Sequence, residues 1–277
     1  IASTAALLAA LGEQPAKEAR GPLENVLANP QQSLANRRQA AALFVAGLDA
    51  ASAPRLLVLA RKVEDGPVLA DLMRALAARP ALPGAAAWFT ARLSSKDAEV
   101  RAGAIEGLAA LKAPTGPGSI VKALADPDPR VRRAAALASG NLGLKDAVPT
   151  LLALARDNDP ATRAASLDAL RQLGEARAVP LAVAALDDRA TTLPALACLQ
   201  ELGGPEHIGA VIQLARRELA AEVLSATARL LTAWSAQPGT EQGRIGQALA
   251  ELHGHAGVLL AWQVRGFASD VEARKAA

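Results

Sequence analysis

The chain has no tyrosine, three phenylalanines, three tryptophans and one cysteine in 277 residues. Aromatic side chains bury the largest areas, so a spherical domain of this length would lack the rings that ordinarily fill its centre. A core closed in some other way is required. With Cys198 alone, an intramolecular disulfide and a paired-thiol metal site are both excluded, and the compartment stays open between cytoplasm and periplasm. The longest uncharged stretches, residues 1–12 and 80–91, are well short of the ~20 apolar residues that span a bilayer. Membrane insertion is therefore not expected. Charge of one sign is also lacking: 30 Lys and Arg stand against 27 Asp and Glu, a net +3, with the signs interspersed. No polybasic footprint follows, which disfavours nucleic acid as a partner.

Motifs that carry chemistry are missing as well. The sequence contains no GxxxxGK[ST], no GxGxxG after a strand, and no HExxH, CxxC or GxSxG. His253 and His255 could bring two imidazoles together, yet zinc needs three or four ligands and no third accompanies them. Cys198 lies in the apolar run Leu196–Leu199, where a thiol behaves as a small hydrophobe, and His207 is the one imidazole that could activate it. Trp88, Trp234 and Trp262 sit among Ala and Leu and read as packing residues; Trp262 could also mark a surface bared where a following repeat ends. Neither a cofactor nor a catalytic group is expected. The chain starts at Ile1 with no basic segment or cleavage site after it and reads as a piece of a longer protein.

What is present is alanine, about a quarter of the residues, with leucine and 17 prolines. Ala is the best helix former and lets helices approach closely. Prolines recur at about one helix length, and between them apolar residues follow a 3.6 period, as in Val68, Leu69, Leu72, Met73 and Leu76. Because proline is tolerated only in a helix's first turn, this spacing excludes one long coiled coil and predicts about sixteen short helices, the clearest near 31–47, 54–63, 67–78, 97–111, 128–142, 146–156, 160–173, 205–218 and 219–235. No segment alternates as a strand would.

Self-similarity is the strongest signal. At a 31-residue step, Glu99-Val100-Arg101 becomes Arg130-Val131-Arg132 and then Ala161-Thr162-Arg163, while Leu111 becomes Leu142 and Leu173, the last two followed by Gly143 and Gly174. Ahead of the helices, Asp126-Pro127-Asp128-Pro129 matches Asp157-Asn158-Asp159-Pro160, with Ser95 in place of the first aspartate. Each unit reads as helix, Asp/Pro turn, Arg-bearing helix, Leu-Gly stop. Asp126 and Asp157 are expected to cap the following helices, where a carboxylate meets unpaired amides and the positive end of the dipole. In the unit beginning at Asp187 the Arg position is Leu193, followed by Pro194. Before residue 95 the spacing drifts.

This arrangement resembles the HEAT repeat, and more narrowly the short bacterial HEAT-like repeats also found in phycobilisome lyases, on residues 126–143 and 151–174. The resemblance covers about 95–203. It implies an all-α fold, a right-handed α-α superhelix of about eight or nine helical hairpins, with 1–277 forming a single array. It also implies that Arg132 and Arg163 join a ladder of contacts to aspartates, and that the second helix of each hairpin lines a concave face. If Val131, Ala135, Ala138 and Leu142 face the core, then Arg133, Leu137 and Gly140 point the opposite way. The 31-residue step carries these positions to Ala102, Glu106 and Ala109, and to Ala164, Asp168 and Arg171. Glu106, Arg133, Asp168 and Arg171 are the candidate partner-binding residues. A face broken by Glu106 and Asp168 is unlike a phosphate groove. The reading that follows is a noncatalytic scaffold docking another protein or another domain of the parent chain, with a HEAT-like nucleic-acid enzyme resembling the alkylpurine DNA glycosylases as the alternative.

Overall fold

The computed structural model describes residues 4–12, 16–49, 53–79, 83–113, 116–217 and 220–235, together with Gly243 and Gly246. Among these residues the fold is all-α. Fifteen α-helices follow one another: α1 (Thr4–Gly12), α2 (Ala16–Ala28), α3 (Leu34–Ala46), α4 (Ala53–Ala60), α5 (Pro67–Ala77), α6 (Ala85–Arg92), α7 (Ala98–Ala110), α8 (Gly116–Ala123), α9 (Pro129–Asn141), α10 (Val148–Leu154), α11 (Pro160–Gln172), α12 (Val179–Ala185), α13 (Thr192–Leu202), α14 (Ile208–Arg217) and α15 (Ala221–Ser235). After α1 they alternate as the first and second helices of successive hairpins. Short 3-10 turns at Lys145–Ala147, Ala176–Ala178 and Pro205–His207 lead into α10, α12 and α14, dividing segments that the periodicity alone reads as continuous. The chain forms two compact units, Ile1–Thr150 and Leu151–Ala277.

In the first unit the second helices pack side by side, α3 on α5, α5 on α7 and α7 on α9, while α2, α4, α6 and α8 each lie against their own partner. Leucines, Ala and the few rings close the core: Phe44, Leu69, Leu72, Met73, Phe89 and Leu108 are buried. Small residues set the spacing. A Cβ at Gly107 would lie 2.4 Å from the Phe89 ring, and one at Gly103 would lie 3.2 Å from the Met73 Cβ. Glycine at these two places is what lets α6 and α5 approach α7, and it offsets the scarcity of large side chains. In the second unit α13 packs between α11 and α15, with α12 and α14 laid over α13 and α15. Leu167, Leu170, Leu199, Val211, Leu230 and Trp234 fill that core.

The capping expectation is corrected by two residues. The caps are Asp97, Asp128 and Asp159: Asp97 accepts from the Glu99 and Val100 amides, Asp128 from the Arg130 amide at 2.9 Å, and Asp159 from the Thr162 amide at 2.7 Å. Asp126 and Asp157, two residues earlier, instead accept from the amides of Asp128 and Asp159. They shape the turn that presents the cap. Pro129 and Pro160 then open their helices at the position that has no amide to lose.

At the other end, the chain leaves α9 and α11 through Gly143 and Gly174, both at φ +68, and leaves α7 through Lys112 at φ +48. The same pair of backbone bonds closes all three ends, for example Gly143 N–H to the Gly140 carbonyl and Leu144 N–H to that of Ser139. The stop leucines are not equivalent. Leu173 is buried, whereas Leu111 and Leu142 are half-buried. Gly140, placed by helical phase on the outward face, is buried as well: α9 buries Ala134, Ala136 and Ser139 beyond the expected stripe, because a second helix is covered by neighbours on more than one side.

Candidate functional site

Two sets of charged residues recur along the second helices. The first lies at their N-terminal ends. Arg101 donates from Nε and Nη2 to the two Asp126 oxygens, each at 2.8 Å, and from Nη1 to the carbonyls of Ser95 and Lys96. Arg132 reaches the carbonyls of Asp126 and Pro127, both at 3.0 Å. Arg163 takes those of Asp157 and Asn158 and pairs with Asp188. In the hairpin that lacks the arginine, the Thr191 and Thr192 hydroxyls donate to the Asp188 carbonyl instead. The carboxylates respond. Burial raises Asp126, but bonds from Arg101 and the Asp128 amide outweigh it and hold it below its usual range; the Ala190 amide and Arg163 do the same for Asp188. These groups are occupied in tying turns together.

The second set lies on the outward side of the second helices and contains all four candidate residues. In the first unit Arg38 on α3 grips Asp71 on α5 with bonds of 2.7 and 3.2 Å. Arg74 bonds Asp71 at 2.9 Å and approaches Glu106 on α7 at 3.5 Å. Arg133 on α9 is exposed and acts on Glu106 through its charge. Desolvation pushes the Glu106 carboxyl above its ordinary value, against the pull of Arg74 and Arg133. In the second unit Asp168 holds Arg171, which also pairs with Glu201 on α13. Arg171 is therefore held by structural partners on its own helix and on the next second helix. Arg38, Asp71, Arg74 and Glu201 were not picked out from the sequence. Their spacings of 30 to 33 residues, the length of one hairpin, are the signal that could have found them.

Between α7 and α9 this side opens into a groove of about 490 Å³, floored by Ala109, Ala134 and Ala138 and rimmed by Glu106, Leu137 and Lys112. Leu137 is 40% exposed. Lys112 has no expected role in the repeat pattern. It stands where the next two hairpins carry glycine, a difference visible in the 31-residue alignment.

Other candidates find structural places. Cys198 is buried, and burial drives its thiol up to about 11, far from a reactive thiolate. His207 lies 3.5 Å from Glu206. Trp88 packs at 5.2 Å against Phe89, with the Arg92 guanidinium 5.3 Å above its ring and Asp65 3.5 Å from Arg92. That grouping joins Asp, Trp and Arg, but Trp88 is buried on the first helix α6. His253, His255 and Trp262 lie outside the described residues. Among those described, no cluster of potential metal ligands occurs and no helix is long and apolar enough to cross a membrane.

Repeated hairpins, a cap-bearing turn and an arginine ladder define a helical-repeat protein. Residues 119–203 match the family model for HEAT repeats, so this part of the chain is built of them. Solved structures agree on the fold. The complex of CpcE and CpcF of phycocyanin lyase from Nostoc sp. PCC7120 is similar at 24% identity over 64% of this chain and 71% of that one, with a TM-score of 0.50. An engineered protein is similar at 20% identity over 92% of this chain and 78% of that one, TM-score 0.52. Kap121p matches at 15% identity over 91% of this chain but 35% of its own length, TM-score 0.58. No curated protein matches the chain.

Proposed function

We propose that the chain is a noncatalytic docking scaffold, and that its second helices present their outward side to another protein or to another domain of the parent chain. The observation that carries this is the groove between α7 and α9: an alanine floor, an exposed Leu137 and charges of both signs. An apolar patch rimmed by polar groups is the usual form of a protein-docking surface. The CpcE–CpcF structure, an assembly of two proteins, is in keeping with such a role. We further propose that residues 1–277 are one array, since the 31-residue motif runs without interruption from Glu99 to Gly174.

The test places a photo-crosslinking side chain at Leu137 and, as a control, at Val58, a more exposed apolar position on the first helix α4. A protein or parent-chain domain captured from position 137 and not from 58 supports docking on the second helices. Equal capture from both, or from 58 alone, refutes it. Nucleic acid makes another forecast: duplex affinity should fall with salt at a log–log slope of about −0.9 per phosphate contacted. Tight binding with six or more such contacts would put the enzyme alternative first.

A further inference from the structure

We propose that the groove between α7 and α9 receives an acidic segment of the partner, with one apolar side chain seated on Leu137 and carboxylates held by Lys112 and Arg133. The inference rests on the docking reading above and names the partner's chemistry.

Charge on this side of the first unit is unequal. Arg38, Arg74, Lys112 and Arg133 stand against Asp71 and Glu106, and both carboxylates are already engaged, Asp71 by Arg38 and Arg74, Glu106 by Arg74. Among the described residues Lys112 and Arg133 are exposed and neither makes a contact ion pair, although Arg133 shares with Arg74 the neutralisation of Glu106 through its charge. Lys112 lines the groove, and Arg133 immediately precedes its Ala134 on α9. Charge complementarity therefore favours an anionic segment with apolar character over a basic one. Nucleic acid is the poorer fit, since a phosphate row laid here would run across Asp71 and Glu106 and find only two unpaired cations.

Lys112 is the more telling of the two. Its backbone makes the same closing bonds as Gly143 does, Lys112 N–H to the Ala109 carbonyl and Ala113 N–H to that of Leu108. The turn asks nothing of the side chain, and the left-handed φ of +48 suits glycine better than lysine. The backbone closes the helix whatever the side chain is, so the lysine's charge at the rim of the groove is available to a partner.

The full chain is titrated with a fluorescein-labelled peptide of about twelve residues, rich in Asp and Glu around one central Leu. Comparators are the same peptide with Ser for Leu, its Lys-rich counterpart and a short DNA duplex. We expect the acidic peptide to bind best and to weaken with salt. Lys112→Gly and Arg133→Gln should each reduce affinity about two- to fivefold at low salt, and Leu137→Ser about tenfold. Lys112→Gly also relieves the backbone, so an unchanged or raised thermal midpoint separates lost binding from lost folding. The proposal is overturned if the acidic peptide does not bind at low salt, if the three substitutions leave its affinity unchanged, or if the basic peptide or the duplex binds better. A protein cross-linked at position 137 that binds the Lys112→Gly and Arg133→Gln chains as tightly as the unaltered one sinks the acidic assignment and spares the docking reading. An acidic peptide that binds as forecast, with no protein captured at position 137, does the reverse.

Discussion

Arg101 and Asp126 meet through two parallel bonds of 2.8 Å, joining the first turn of α7 to the turn that precedes α9, 25 residues further on. The same offset joins Arg163 to Asp188 in the second unit. Because each arginine also binds two carbonyls of its own turn, one guanidinium fixes a helix start and ties it to the next hairpin. Such a contact suits nearest-neighbour stacking, in which each hairpin is stabilised by those beside it.

Removing one member leaves the other poorly solvated. The Arg101 and Asp126 side chains are 16% and 12% exposed, so Arg101→Met should lower stability by about 2–3 kcal/mol. Chemical denaturation checks this. A double-mutant cycle with Asp126→Asn should return a coupling of about 1 kcal/mol or more, and additivity would show that the pair does not act as one.

Acid should weaken the ladder. Asp126, Asp128 and Asp188 have folded pKa values below the ordinary 3.8. Their contribution is thus complete above 3.8 and is lost as pH falls through the lower folded values. Glu106 runs the other way: its folded value lies above 4.5, so its unfavourable ionisation is relieved as pH drops. Denaturation midpoints should be level near neutrality and fall below the carboxylate range, and the fall should be shallower in Arg101→Met. A midpoint that rises steadily with acid would contradict the ladder.

Gly107 has no room for a side chain. A Cβ 2.4 Å from the Phe89 ring forces the ring or α6 to move, and Gly107→Ala should cost about 1–3 kcal/mol despite alanine's better helix propensity. Phe89→Leu in the same chain should recover part of the loss in thermal midpoint.

The helix ends offer a paired test of backbone strain. Gly174→Ala, at φ +68, should lower stability by about 1 kcal/mol, and Lys112→Gly, at φ +48, should raise it by a similar amount. Equal thermal midpoints for both would mean that the left-handed turns are not retained in solution.

Leu173→Ala should cost about 2–5 kcal/mol, since Leu173 is buried, whereas Leu142→Ala at a half-buried site should cost less. Hydrogen exchange in Leu173→Ala should rise first in α11 and α13. Cys198, buried with its thiol near 11, should resist a thiol reagent at neutral pH until the chain unfolds.

The sequence by itself determined the class of fold, the hairpin period and the order of turn, capped helix and stop, because these depend on residues close along the chain: proline spacing, 3.6-residue periodicity, short acidic caps and left-handed glycines. It also located Glu106, Arg133, Asp168 and Arg171 on one side of their helices. It assigned the cap to Asp126, whereas Asp128 caps and Asp126 ties the turn to Arg101, a division of roles that depends on the neighbouring hairpin. Nor could it bury Gly140 or half-expose Leu142, since helical phase reveals a side and not how many neighbours cover it. The links from Arg38 to Asp71 and from Arg74 to Glu106, and the groove rimmed by Lys112 and Leu137, depend on the offset between successive second helices. That offset is set where the helices pack, through small residues such as Gly103 against Met73, and so was decided only in the tertiary structure.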